Sequence, residues 1–413
     1  MLASHFFRHL IRVGTLTVVD AYGKTHRFAG APGPSATVRL HDRALHHRLP
    51  LNPYLAAGEA YMDGTLTVED GTIYDALDLA CRNGAALDNY PMTRLQERLK
   101  RLLQAFHTHN PIERAQRNVA HHYDLSDQLY DLFLDRDRQY SCAYFAAESD
   151  SLETAQENKK RHIASKLLLD RQRLRVLDIG SGWGGLGLYL AQESGADVTG
   201  VTLSAEQHKV SQARAADAGL AERVRFHLRD YREESGRYDR IVSVGMFEHV
   251  GVPHYREFFQ KLKDLLVDDG VALLHSIGSI DPPGGTNPWL QKYIFPGGYT
   301  PALSEVMDAV QAAGLWVTDI EILRLHYAET LRAWRQRFSA NRDRVRALYD
   351  ERFCRMWDFY LTGCELSFRY GGQMVFQMQL AKQPDAVPLT RDYMIDWERA
   401  HLAGGRARLR AVR

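Results

Sequence analysis

The stretch RVLDIGSGWGGLG, residues 175–187, decides how the chain is read, because a short buried strand runs straight into glycines. Gly180, Gly182 and Gly185 satisfy G-x-G-x-x-G, the fingerprint of a dinucleotide fold, so a nicotinamide cofactor is the first ligand to test. Such a fold needs an acidic side chain about 20 residues further on, at the end of the second strand, for the adenosine ribose hydroxyls. That strand ends GVTLSAEQ, with Thr202, Leu203 and Ser204 in the expected place and Glu206 already inside the next helix. The nicotinamide reading therefore lacks its second element. Asp178 instead stands just before Gly180, giving D-x-G-x-G. Glycines this dense weaken strand and helix unless a ligand approaches the backbone closely.

Around this stretch apolar strands alternate with helices. RVLDIG, ADVTGVTL, RVRFHLRD, YDRIVSVGM and GVALLHSIGS are separated by helical runs such as AEQHKVSQARAADAG and YREFFQKLKDLL. The alternation predicts an α/β, mostly parallel, doubly wound sheet with its ligand beyond the carboxyl ends of the strands. Two further strands, LWVTDIEILRL and QMVFQMQLAK, flank a helical region spanning 329–370. Residues 1–90 differ: alternating runs (GTLTVVD, ATVRLHD), Gly and Pro turns and the helix-like NPYLAAGEAYMDG read as a smaller α+β domain. A charged helical run, TRLQERLKRLLQAF, and a proline stop in HTHNPIERAQRN place a linker at 91–110. The larger domain then covers 111–400, and 401–413 form a basic tail.

Composition narrows the function classes. With 413 residues, 45% hydrophobic and 25% charged, the chain suits a globular protein of two domains. A net charge of +1 offers no basic field for nucleic acid, and RARLRAVR reads as a solvated end. Cys81, Cys142, Cys354 and Cys364 have neither C-x-x-C spacing nor the density of a secreted scaffold; this suits a reducing, cytoplasmic location, and no metal is expected. No segment approaches the roughly 20 apolar residues needed to span a bilayer, so any membrane contact is expected to be peripheral.

D-x-G-x-G after a first strand is also how class I S-adenosylmethionine-dependent methyltransferases begin. The strings HHYDLSDQLYDLFLD, YSCAYF, VLDIGSGWGG, VTLSAEQ, DRIVSVGMFEHVG, LLHSIGS and QKYIFPGGY occur in an order and spacing that resemble the cyclopropane-fatty-acyl-phospholipid synthases. The likeness covers most of residues 110–380, with a weaker match to that family's N-terminal lipid-binding module. It implies a seven-stranded class I methyltransferase (Rossmann-like) sheet beside a smaller lipid-binding and dimerisation domain. It also implies methylene transfer from S-adenosylmethionine to the cis double bond of unsaturated phospholipid acyl chains, at the inner membrane surface. Ser181 stands where the family often has Cys, and Ser126 where it often has Gly; both are exchanges between small residues.

The implied chemistry is demanding. An isolated alkene is a weak nucleophile, so it must be held in line with the sulfonium methyl and kept from water. Attack leaves a carbocation, which a low-dielectric pocket with aromatic faces can stabilise. YSCAYF, WLQKYIFPGGY and LRLHYAETLRAW supply rings, most of which must serve ordinary packing. Closing the ring requires a base, and the resemblance implies a bound bicarbonate held by Cys142, Glu248, His275, the backbone of Ile277 and Tyr327. Singly these have plain readings as a small buried hydrophobe, a satisfied core histidine or a helix-start anchor. Together they make a site. For the cofactor the resemblance implies Tyr140 and Ser141, then Asp178, Gly180, Ser181, Gly182, Trp183 and Gly184 on to Leu186. It adds Thr202, Leu203, Ser204 and Gln207 after the second strand, and Asp230 with Tyr231 after the third. The polar groups after the second strand suit the ribose, Asp230 the adenine amine and Tyr231 ring packing.

Other features stay open. Cys364 aligns with a cysteine once considered a nucleophile, yet methyl transfer to an alkene needs no covalent enzyme intermediate, and helix packing competes. His249, His121 and His122 have no comparably specific role. The insertion DPPGGTNPWLQKYIFPGGYTP reads as a lid or tunnel wall. HFFRHLIR suits docking on an anionic bilayer, or an amphipathic helix packed on its own domain. Family likeness also implies a homodimer. Two competing functions remain: loss of a different proton, giving a methyl- or methylene-branched fatty acid, and a lipid-binding protein or small-molecule methyltransferase, against which the complete bicarbonate set counts.

Overall fold

Alternating burial along Val13–Val19 marks β1 as a half-buried strand. It organises the first of two sheets in the structure, a computed structural model that describes residues 2–95 and 126–402. Helix α1 (Leu2–Leu10) precedes it, and β2 (Thr25–Ala29), β3 (Ala31–Leu40), α2 (Leu45–Leu51), α3 (Pro53–Met62), β4 (Leu66–Asp70), α4 (Ile73–Arg82) and α5 (Gly84–Asp88) follow. The strand order is β2-β1-β3-β4, with β1 and β3 parallel and the other pairs antiparallel.

Helix α1 decides between the two readings of HFFRHLIR. Phe6, Phe7 and Leu10 are buried in the core of this unit with Leu16, Val38 and Leu79, while His5 and Arg8 face outward. The apolar face of HFFRHLIR is thus covered by its own domain and is not offered to a bilayer. Residues 91–95, at the start of the expected linker, are helical. The rest of that linker, His121, His122 and the tail from 403 lie outside the described residues.

The second unit starts with α6 (Asp127–Phe133) and α7 (Leu152–Lys166). Ser126 caps α6, its hydroxyl accepting from Gln128 N at 3.2 Å, so the serine that replaces the family's glycine closes a helix end. Then come β5 (Arg175–Ile179), α8 (Gly185–Ser194), β6 (Asp197–Thr202), α9 (Ala205–Asp217), β7 (Val224–Leu228), β8 (Tyr238–Val244), α10 (Tyr255–Leu265) and β9 (Leu266–Ser279). The chain continues through α11 (Pro288–Tyr293), α12 (Leu303–Ala313), β10 (Trp316–Ile322), α13 (His326–Ala340), α14 (Arg342–Leu348), α15 (Glu351–Tyr370), β11 (Gln373–Ala381) and α16 (Asp392–Ala400). Seven strands run in the order β10-β11-β9-β8-β5-β6-β7. All neighbours are parallel except β11, which is antiparallel to both β10 and β9. The chain leaves β5 toward β6 and β7 and returns on the other side to β8, so a crevice opens at the carboxyl ends of β5 and β8.

Both faces of this sheet are covered. Ile163, Leu186 and Ala215 of α7, α8 and α9 pack on Val176, Val198 and Phe226. On the other face Phe258, Leu262, Val306 and Val310 of α10 and α12 meet Ile241 and Leu274. Beyond the strand ends α6, α13 and α15 enclose an aromatic core containing Phe133, Trp334, Trp357 and Tyr360. The insertion after β9 is fastened to the N-terminal unit. Trp289 sits buried over Gly58 of α3, and Glu59 Oε1 accepts from Lys292 Nζ at 2.6 Å and from the Tyr293 hydroxyl at 2.9 Å. The insertion is therefore built as an anchored wall.

Candidate functional site

Two cavities lie in the crevice. The first, about 1180 Å³ with part of that space open to solvent, sits on the glycine stretch. Gly180 and Gly182 hold φ of +84° and +54°, and a Cβ on Gly180 would come within 2.8 Å of Met246. Only glycine makes this turn without strain. Gly184 does a different job: at φ +84° a Cβ there would meet Phe226 at 2.7 Å and Ser211 at 2.9 Å, so it lets α8 lie close on the sheet and lies outside the cavity lining.

The remaining glycine-stretch residues, Asp178, Ser181 and Trp183 among them, line this cavity, as do Tyr140 and Ser141. Thr202, Leu203, Gln207, Asp230 and Tyr231 complete the far side. Ser204 does not line it; its hydroxyl caps α9 by accepting from Gln207 N at 3.3 Å. Asp178 is 2% exposed, and its Oδ2 has no hydrogen-bond partner. Burial pushes this carboxyl up to about 7, against the pull of Lys159. An orphaned buried carboxylate oxygen beside a bare backbone suits a ligand carrying an ammonium group. Asp230 is more committed than its expected adenine contact suggests, because it accepts from Arg232 N, Nε and Nη2 at 2.9, 2.9 and 2.8 Å. One lone-pair position is left for a ligand. Below the floor, buried Lys159 donates to Ser141 Oγ at 2.8 Å and Gln139 Oε1 at 2.6 Å. Burial lowers its ammonium to about 8, with Asp135 opposing.

The second cavity, about 930 Å³ including space open to solvent, joins the first through Tyr140, Ser141, Gly245 and His249. Cys142, Glu248, His275, Ile277, Tyr327 and Cys364 all line it, although the chain separates them widely. Glu248 lies in the turn Phe247–His249 after β8. Its Oε1 accepts the Ile277 amide at 2.7 Å, and its Oε2 is buried without a partner. Burial raises this carboxyl to about 7, the Ile277 amide opposing. The Ile277 amide is thus already engaged by Glu248, where the family likeness implied donation to an ion. His275, on β9, is 2% exposed and is held well below the usual imidazole range by burial and by the charges of Lys159, Lys166 and His162, so it is neutral. Burial also raises both thiols, Cys364 to about 12. Neither is a thiolate at neutral pH, which argues against a cysteine nucleophile.

Rings supply most of the remaining wall. The Tyr140 and Tyr360 hydroxyls are 2.8 Å apart, Tyr140 stacks on Trp334 at 5.1 Å, and the Tyr327 ring lies 4.9 Å from Phe368. Leu290, Phe295 and Tyr299 bring the insertion into this wall. Sequence reading missed His249, which lines both cavities and which burial holds neutral, with a pKa of about 4. Its place beside Glu248 in FEHVG was the available signal. Tyr360 and Gln373 offered none, since their neighbours in space are far away in the chain.

Comparison with known proteins fits this geometry. The family profile described as mycolic acid cyclopropane synthetase matches residues 110–378. The chain is 36% identical over 347 residues to the cyclopropane-fatty-acyl-phospholipid synthase of Escherichia coli strain K12, covering 84% of this chain and 88% of that protein. It is 34% identical over 385 residues to a Pseudomonas putida protein named "Probable fatty acid methyltransferase", covering 89% of this chain and 94% of that one. The crystal structure of mycolic acid cyclopropane synthase CmaA1 complexed with SAH and CTAB superposes with a TM-score of 0.61 at 35% identity, covering 66% of this chain and 99% of that one.

Proposed function

The chain belongs to the mycolic acid cyclopropane synthetase family of S-adenosylmethionine-dependent methyltransferases, and from that premise we propose that it adds a methylene bridge across the cis double bond of phospholipid acyl chains. The observation that carries this reading is the meeting of the two cavities at Tyr140, Ser141, Gly245 and His249. A cavity suited to a cationic nucleotide ligand opens there onto a ring-lined one that gathers Cys142, Glu248, His275 and Tyr327.

Bound in the first cavity, S-adenosylmethionine supplies an electrophilic methyl group. Bound in the second, bicarbonate supplies the base for ring closure. The chain's own part follows from its residues. Asp178 Oδ2 holds the ligand's ammonium, and the glycine turn admits it. Leu290, Phe295 and Tyr299 keep the acyl chain dry, and the Tyr140, Tyr327 and Tyr360 rings face the developing cation. Glu248 Oε2, buried and unpaired, offers a hydrogen bond to the ion from a carboxyl that is half protonated near neutral pH. For the ion to reach the Ile277 amide, Glu248 must share it.

Among the described residues no helix is long and apolar enough to cross a membrane, and the proposal places the enzyme at a bilayer surface from which the acyl chain is drawn. A second reading, fatty acid C-methylation, is favoured by the 34% identity to the Pseudomonas putida relative. The two are separated with purified protein, vesicles of a monounsaturated phospholipid and methyl-deuterated S-adenosylmethionine, with bicarbonate varied. Cyclopropanation predicts a product that has lost its double bond and one deuterium, formed faster with bicarbonate. A product that keeps an alkene would establish methylation instead, with three deuterium atoms in a methyl branch or two in an exocyclic methylene.

A further inference from the structure

The register of β10, β11 and β9 places Glu321, Gln377 and His275 directly opposite one another in a single row. Residues opposite across strands project from the same face. Gln377 is fully buried between its two neighbours, and Lys166, from the end of α7, is 2% exposed. Lys166 Nζ donates to Gln377 Oε1 at 2.8 Å and also to Glu321. Glu321 in turn meets His162 Nε2 at 2.7 Å, and His162 Nδ1 pairs with Glu398 of α16.

This row fixes a proton. A lysine ammonium only donates, so the Gln377 oxygen must face Lys166 and its NH₂ must face the other way. That NH₂ lies 3.1 Å from His275 Nδ1, which must accept. The single proton of a neutral imidazole then sits on Nε2. Among the described residues no hydrogen bond engages Nε2, and the cavity that His275 lines is the second one.

We propose that Gln377 is a positioning residue that locks His275 as the Nε2–H tautomer, turning that ring into a hydrogen-bond donor for an anion in the second cavity. The inference deepens the bicarbonate reading and rests on it for its purpose, but not for its geometry. Had Nδ1 carried the proton, the cavity would meet a lone pair, which repels an anion. Three side chains with no contact to substrate thereby set the polarity of one that touches it, as is common where a histidine's second nitrogen decides the role of the first.

The test is ring ¹⁵N NMR of the full-length protein labelled at histidine, with His275 assigned by loss of its signal in His275→Gln. The wild type is expected to show Nε2 protonated and Nδ1 bare. In Gln377→Glu, isosteric and still paired with Lys166, the carboxylate can only accept a hydrogen bond from His275, so the ring's single proton moves from Nε2 to Nδ1. The apparent KM for bicarbonate should then rise about tenfold, the worth of one charge-assisted hydrogen bond, with the KM for S-adenosylmethionine within about twofold. Nδ1–H in the wild type overturns the proposal without any variant needing to fold, and so does an unchanged tautomer in folded Gln377→Glu. If the tautomer is as stated while turnover ignores bicarbonate, Gln377's role stands and the proposed base is what fails.

Discussion

The two cavities adjoin, yet they differ in how their charged groups are partnered. In the first, ionised groups are tied into bonds: Asp230 is held by Arg232, and Lys159 by Ser141 and Gln139. Asp178 alone is left with an unpaired oxygen. In the second, burial drives Glu248, His249, His275, Cys142 and Cys364 toward their neutral forms. On the proposed reading, the first holds a charged ligand, and the second lets a cation form where no strong nucleophile can trap it. Water exclusion and preorganised weak donors matter more there than fixed charge.

The contrast can be broken by exchanging single atoms. Glu248→Gln should have the largest effect, lowering turnover by about 100-fold or more, the usual weight of a lost acid–base partner. Calorimetry should find S-adenosylmethionine binding within about twofold of wild type, because the first cavity is untouched. Asp178→Asn should do the reverse, weakening S-adenosylmethionine binding by about 10- to 100-fold through loss of a charge-assisted bond, with the product unchanged in kind. Equal loss of binding in both variants would erase the distinction.

Stability sharpens it further. Glu248 titrates near 4.3 in an unfolded chain and at about 7 in the fold. Between those values the native state holds the extra proton, so this group's contribution is full below about pH 4 and is lost as pH rises through 7. In the ligand-free protein, thermal unfolding of Glu248→Gln relative to wild type should therefore gain with pH from 5 to 8, by roughly 1–3 kcal/mol. A difference that stays flat would mean the carboxyl is not desolvated. Cys364→Ala should have the smallest effect, with turnover within about threefold, since the thiol is protonated and only a small void is left. Abolished turnover would restore the nucleophile reading.

How far each cavity could be read from the sequence follows from how each is built. The first rests on a contiguous strand, turn and helix, so Asp178, the glycines and GVTLS were legible from local pattern. The second draws on residues from 140 to 373, and only family likeness drew Cys142, Glu248, His275 and Tyr327 together. Antiparallel register is a tertiary property, so nothing local announced that Gln377 would face His275. Gln373, Gln377 and Gln379, on same-parity positions of one face in an otherwise apolar strand, were the trace it left. HFFRHLIR stayed open between two readings for another reason: helical periodicity is the same whether the apolar face meets a bilayer or its own core, and Phe6 and Phe7 meet the core.

The central claim is that the second cavity completes a carbon–carbon ring on a lipid alkene. Mass spectrometry of phospholipids from cells with and without this chain tests it most directly. The account predicts monounsaturated acyl chains that gain one CH₂ and lose the double bond only when the protein is present. Chains that gain CH₂ but keep the alkene, or that do not change at all, would contradict it.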